Sequence, residues 1–185
     1  PPKIITFHYF SEIIQQHLNM IEIIEATEFH HPIIRSIAYR TWPDTFESIL
    51  STDQILYMLE QMYSLEALRE QTQVKGHQFI LAKEGLEYLG FASIEKNYQD
   101  LTQTKIHKIY ILPEAQGKGI GKALFEEMTQ RARTANNDKL LLNVNRDNKA
   151  THFYGKIGFQ TIGTEDIDIG NGYFMNDYVM EKIIC

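Results

Sequence analysis

Three glycines at every second position, in Gln116-Gly117-Lys118-Gly119-Ile120-Gly121, are the residues whose type and spacing first suggest chemistry. Glycine lacks a Cβ, so its backbone turns through conformations closed to other residues and lets a ligand approach closely. The loop lies between a strand-like run, Ile109-Tyr110-Ile111-Leu112, and a helical pattern. The free N–H groups of the first helical turn and the positive end of the helix dipole would then form a site for phosphate. A turn that merely lets the helix pack on a sheet is the alternative. Two phosphate loops fail on spacing. A Walker loop ending at Gly121-Lys122 needs Gly at 116 and Ser or Thr at 123, where the chain has Gln116 and Ala123. A dinucleotide fingerprint starting at Gly117 needs Gly or Ala at 122 and meets Lys122. The adjacent His30 and His31 point in different directions on a helix, so no metal site is expected there.

A second motif follows: Asn148-Lys149-Ala150-Thr151-His152-Phe153-Tyr154-Gly155-Lys156-Ile157-Gly158-Phe159. It is similar to Asn-x-x-Ala-x-x-Phe-Tyr-x-x-x-Gly-Phe, and the glycine loop fits Gln/Arg-x-x-Gly-x-Gly/Ala. In this order, with one helix and one strand between them, the two resemble the signatures of the GCN5-related N-acetyltransferase (GNAT) family. The resemblance covers nearly everything from Met20 to Ile183. It implies an α/β fold whose central, mostly antiparallel sheet is splayed between the fourth and fifth strands and flanked by helices. It implies acetyl-CoA as co-substrate and no metal.

By the same resemblance, the pantetheine arm pairs with the main chain of Tyr110, Ile111 and Leu112 as an added strand. The N–H of Leu112 or Ile111 polarises the thioester oxygen. The pyrophosphate lies along Gln116, Gly117, Lys118, Gly119, Ile120, Gly121 and Lys122. Tyr154 corresponds to the tyrosine that faces the coenzyme sulfur, where a phenol of pKa about 10 can protonate a thiolate; otherwise it is an aromatic closing the core. Asn148 meets the pantetheine arm, caps the helix it begins, or does both. Asn143, a polar residue among Leu140-Leu141-Leu142 and Val144, is a further candidate at the splay. Polyamine acetyltransferases of the spermidine/spermine type carry a glutamate two residues before the first pantetheine-contacting residue of the strand, and here that position is Lys108. Glu95, His107 and a water chain remain as ways to deprotonate the acceptor.

These residues need elements to hold them. Residues 20–26 alternate as a strand. A helix is predicted over 30–40, with Ile33, Ile34, Ile37 and Ala38 on one face, ending near Trp42-Pro43. A second follows a Ser51 or Thr52 cap, with Ile55, Met58, Leu59, Met62 and Tyr63 recurring at three and four residues. Residues 77–82 and 88–95 form a hairpin around a loop over 83–87, and 105–112 a third strand. The helix after the glycines runs to about Ala135 and buries Ala123, Leu124, Met128 and Ala132. A strand over 139–144, a short helix over 148–157 and an antiparallel pair over 159–169 and 172–183 complete the order. Strand, two helices, three strands, helix, strand, helix, two strands is a mixed α/β arrangement.

The 185 residues suit one domain. Residues 1–19, before the alternative start Met20, are read as an appendage of unknown role, and 20–185 as one N-acetyltransferase domain. The 18 basic and 24 acidic residues give a net charge of −6, which disfavours nucleic acid and anionic membranes as partners. The single cysteine, Cys185, excludes an internal disulfide framework and serves poorly as an acetylated intermediate. No stretch is long and apolar enough to span a membrane, and a cytoplasmic location is expected. The expected activity is direct transfer of acetyl from acetyl-CoA to a small primary amine, polyamine-like acceptors included, by a chain that can form a homodimer. A protein or peptide acetyltransferase and a silent acyl-CoA-binding module are the alternatives.

Overall fold

The computed structural model describes residues 20–184, so the reading of residues 1–19 and the statements about Cys185 lie outside the described residues. Strands β1 (Ile21–Glu25), β2 (Gln78–Glu84), β3 (Glu87–Glu95), β4 (Gln103–Ile111), β5 (Lys139–Asn145), β6 (Gln160–Gly170) and β7 (Tyr173–Ile183) form one sheet in the order β1-β2-β3-β4-β5-β7-β6. Every neighbouring pair is antiparallel except β4 with β5. Helices α1 (His31–Phe46), α2 (Thr52–Tyr63) and α3 (Leu65–Gln73) separate β1 from β2 in the chain; α4 (Ile120–Thr134) joins β4 to β5, and α5 (Ala150–Lys156) joins β5 to β6. The first three helices pack on one face of the sheet, where Tyr110 of β4 meets Trp42 and Tyr63. On the other face Ile111 reaches toward Gly121 of α4, which buries Ile120, Leu124, Phe125, Met128 and Ala132.

Four local expectations are corrected. First, α1 does not stop before Pro43 but runs through it to Phe46. A proline inside a helix costs about 3 kcal/mol. Here Trp42 is 1% exposed and packs on Phe46, Tyr63 and Tyr110, and burying so large an indole offsets that cost. Second, α3 is an additional helix with no counterpart in the sequence pattern. Its nine residues offer only Leu68 and Gln71 to the core, but Ser64 caps it by accepting from the Ala67 N–H at 3.2 Å. Third, the β2–β3 loop is two residues, not five: Lys83 and Glu84 still pair with Tyr88 and Glu87 across a turn at Gly85 and Leu86, with Gly85 at φ +59°. Fourth, along α4 Ala123 is only half-buried and Phe125 takes its place in the core.

The feature that makes a site is where β4 and β5 part. They pair in parallel from Gln103↔Lys139 to Ile106↔Leu142 and no further, although both strands continue. The register of β4 on β3 shifts at the same point, from Ile94↔Ile106 to Ser93↔Lys108. His107 is therefore the extra residue of a β-bulge, and such a residue bends its strand and sharpens its twist. The bulge turns the remainder of β4 away from β5.

Candidate active site

A cavity of about 760 Å³ occupies the opening. One wall is β4 from Ile106 to Ile111, the facing wall is β5 from Leu142 to Asn145, and the glycine loop with the start of α4 closes one end. The Leu112 N–H donates to Leu89 O at 2.9 Å, across β3. Successive residues of a strand direct their backbone groups to opposite edges. Those of Ile111 and Ile109 therefore face the cavity, and of the two expected polarising donors it is Ile111 that is available. Leu112 does not line the cavity.

Gly117 and Gly119 both have φ +82°, which a side chain adopts only with strain, and a Cβ at either would meet open space. Gly119 is the N-cap of α4, with no side chain bonded to the first-turn N–H groups. Fifteen residues of aligned helix dipole end there, uncapped and facing the cavity. These groups fit the diphosphate of a coenzyme A. Gln116, Ile120, Gly121 and Lys122 also line this end. Lys118 does not; its Nζ pairs with Glu84 at 3.1 Å.

Tyr154 reaches the cavity from α5, 9% exposed and edge-on to Phe125, Phe153 and Phe159 at 5.7–6.1 Å. Its hydroxyl bonds to no other described residue. Burial pushes its pKa up to about 12, so it is a proton donor through the neutral range. Counting back from Tyr154 through Ala150, the motif's asparagine falls at position 147, which is Asp147; Asn148 stands one residue later. Asn148 lines the cavity, and its Oδ1 accepts from the Ala150 N–H at 2.9 Å, so it caps the turn into α5. Asn143 also lines the cavity, but its side chain is committed at both ends, accepting from Lys105 and donating to Glu165 at 2.8 Å.

The sheet face under α1–α3 carries a polar row whose members are scattered in the sequence. His77, just before β2, stacks on His107 with centroids 3.8 Å apart, and Glu95 Oε2 lies 2.8 Å from His107 Nε2. Burial is the main cause that holds both imidazoles neutral, His77 at about 4. The bulge also sends Lys108 to this face, 7% exposed, its Nζ 5.7 Å from the Tyr63 ring centroid and 5.9 Å from that of Phe79. Across the gap Asp177 of β7 is the single carboxylate among the described residues that line the cavity, and burial raises its pKa. His30 is bound into the turn before α1, its Nδ1 accepting from the Thr27 N–H at 3.0 Å, and His31 is buried beside it. Only His77, Glu95 and His107 bring three metal-ligand atoms together among the described residues. The face-to-face stack of the two rings aims their nitrogens in parallel rather than at one point, so the trio suits hydrogen bonding better than tetrahedral coordination.

Over the polar face, α2 is tied to the β6–β7 hairpin. Gln54 Nε2 donates to Phe174 O at 3.2 Å and Tyr57 OH to Ile169 O at 2.9 Å. These contacts connect positions 120 and 112 residues apart. No local sequence pattern could have shown them.

The chain is similar to several known proteins. The model of the acetyltransferase (GNAT) domain matches residues 49–181. An uncharacterized N-acetyltransferase of Mycobacterium bovis is 26% identical over 150 residues, which is 80% of this chain and 94% of that one. The crystal structure of a PaiA N-acetyltransferase from Thermoplasma acidophilum in complex with coenzyme A superposes with a TM-score of 0.72 and 26% identity, covering 89% of this chain and 99% of the other. The L-amino acid N-acyltransferase MnaT of Escherichia coli is 25% identical over 87 residues, 45% of this chain and 51% of that one.

Proposed function

The chain belongs to the GNAT family of acetyl-CoA-dependent N-acetyltransferases, and from that premise we propose that it acetylates a primary amine of a small molecule by direct transfer. The observation that carries this reading is the single cavity that joins the open edge of β4, the uncapped start of α4 and the Tyr154 hydroxyl. When bound, acetyl-CoA supplies an activated acyl carbon and a thiolate leaving group. The backbone of Ile109 and Ile111 holds the pantetheine arm as an added strand, and the Ile111 N–H donates to the carbonyl oxygen as negative charge develops there. The N–H groups from Gly119 to Lys122 hold the phosphates. Tyr154 delivers a proton to the departing sulfur.

A small acceptor is favoured over a protein because of the bridge from α2 to the β6–β7 hairpin. Phe174 and Met175 from the hairpin and Met58 and Met62 from α2 line the acceptor side, and the two contacts between α2 and the hairpin bound it there. The resemblance to an L-amino acid N-acyltransferase supports the same size class. Free-thiol release from acetyl-CoA with a panel of monoamines, polyamines, amino acids and lysine-containing peptides tests the reading. Turnover with small amines is expected. Transfer to peptides alone would replace this reading with a protein acetyltransferase, and the absence of thiol release with every member of the panel would leave a silent acyl-CoA-binding module.

A further inference from the structure

We propose that the side-chain amine of Lys108 is the general base of the transfer, taking the proton that the acceptor ammonium must lose before it can attack. The inference rests on the acetyltransferase reading above. Four observations carry it. Lys108 is 7% exposed, yet it lines the acceptor side of the cavity. No carboxylate of the described residues lies within 4 Å of its Nζ; its neighbours are the faces of Tyr63 and Phe79. It follows the bulged His107 directly, so the distortion that opens the cavity also aims this side chain into it. Of the other candidates on this face, Glu95 is hydrogen-bonded to His107 and the two histidines stack, while Asp177 stands on the opposite wall, across the gap.

An ammonium here has only two ring faces, at 5.7 and 5.9 Å and so near the outer reach of cation–π attraction, in place of the water and carboxylates that would hold its charge, and lysine answers by giving up its proton. Its acidity agrees: burial, with a smaller contribution from Lys75, lowers Lys108 from 10.5 to about 7. A base poised near the working pH is the efficient one. The other titratable groups facing it are His77 and Lys75 ahead of β2, Tyr63 on α2, and His107 and Tyr110 on β4, with Glu95 behind His107. His77, His107, Tyr63 and Tyr110 are all shifted by burial toward their neutral forms.

The step balances. One N–H bond of the acceptor ammonium breaks, and its proton joins neutral Lys108 Nζ. The freed lone pair forms the C–N bond, and the C–S bond breaks with its electrons left on sulfur. Tyr154 protonates that sulfur and recovers a proton from the new amide nitrogen, while Lys108 releases its own to solvent. One proton leaves per turnover.

The test is kcat/KM against pH with an amine found by thiol release. A rise near pH 7, a plateau, and a fall only at the amine's own pKa are expected, because a base that accepts from the ammonium needs the protonated acceptor. Lys108→Met and Lys108→Arg should each lower kcat/KM by about 10² or more at the plateau, with acetyl-CoA affinity within about threefold. An unbroken rise to the amine pKa would overturn the proposal, as would activity kept by either variant; the arginine, which holds the charge but not the base, separates this role from anion binding. Should neither variant fold, the wild-type profile decides. If no amine is acetylated, the transferase reading fails first. Lys108 is then examined alone by NMR after reductive methylation with 13C, where titration near 7 supports a neutral buried amine and titration near 10 sinks the proposal.

Discussion

At the scale of single residues, the chemistry divides between groups that burial keeps neutral. Tyr154 is held protonated by its aromatic surroundings, its pKa pushed up to about 12. Replacing it by Phe removes the donor and keeps the ring among Phe125, Phe153 and Phe159. Turnover should fall by about 10² or more with acetyl-CoA affinity nearly unchanged, measured by steady-state kinetics beside calorimetry. Equal turnover from pH 6 to 9 would remove Tyr154 from the mechanism. The Glu95–His107 contact reads differently. Burial raises Glu95 and lowers His107, so both are shifted toward their neutral forms, and their 2.8 Å hydrogen bond ties β3 to the bulged residue of β4. Glu95→Gln and His107→Gln are expected to cost less than about tenfold in kcat/KM, and a loss near 10³ in either folded variant would make that residue the base instead.

At the scale of elements, two devices build the site: the bulge in β4 and the glycine turn into α4. The glycine turn needs backbone that a Cβ would strain, and the part of β4 beyond the bulge lies against backbone where a Cβ would obstruct it. A bulky residue in place of Gly119 must adopt φ +82°, and its side chain would stand where phosphate approaches; coenzyme A affinity should fall at least tenfold, about 1.4 kcal/mol, by calorimetry. Gly90 is the less obvious case. A Cβ there would sit 2.7 Å from Tyr110 O and 3.2 Å from the Ile111 Cα, so Gly90→Ala must push β4 toward the cavity. A stability loss of about 1–3 kcal/mol is expected, with weaker acetyl-CoA binding; unchanged values for both would mean that β4 is not held in place from this side. Much of this scale was legible in the sequence. The glycine spacing, the alternation of β4 and the phenylalanine-tyrosine pair of α5 are local patterns, and β4, α4 and α5 each lie within a few residues of their expected bounds. The bulge was not legible, because His107 continues the alternation of its strand and only the register against β3 reveals it. The polar face was hidden for the same reason: His77, Glu95, Lys108 and Asp177 are far apart in sequence and meet through strand pairing.

At the scale of the whole molecule, a chain with net charge −6 places buried lysines where its acetyl chemistry is proposed. Lys105 is lowered mainly by burial and retains carboxylate neighbours, whereas Lys108 has none within ion-pair distance among the described residues. Folding feels this burial whether or not an acceptor binds. Lys108 has a folded pKa of about 7, against 10.5 when unfolded, so between those values the unfolded chain binds the extra proton. Stability must therefore rise with pH across that window and lose this contribution as pH falls toward 7. Below it, His77 adds a second slope of the same sign, from 6.5 down to about 4. At neutral pH the buried lysine leaves the fold less stable than at high pH by an amount on the order of 4 kcal/mol, since each tenfold weakening of proton binding is worth about 1.4 kcal/mol. Lys108→Met keeps the apolar stem against Tyr63 and Phe79 and removes the titration. Urea unfolding at several pH values should find this variant more stable than wild type by several kcal/mol at pH 7, with a flatter dependence up to pH 10. Equal stability, or parallel slopes in the two proteins, would mean that Lys108 keeps its charge in the folded state and would also argue against its service as a base.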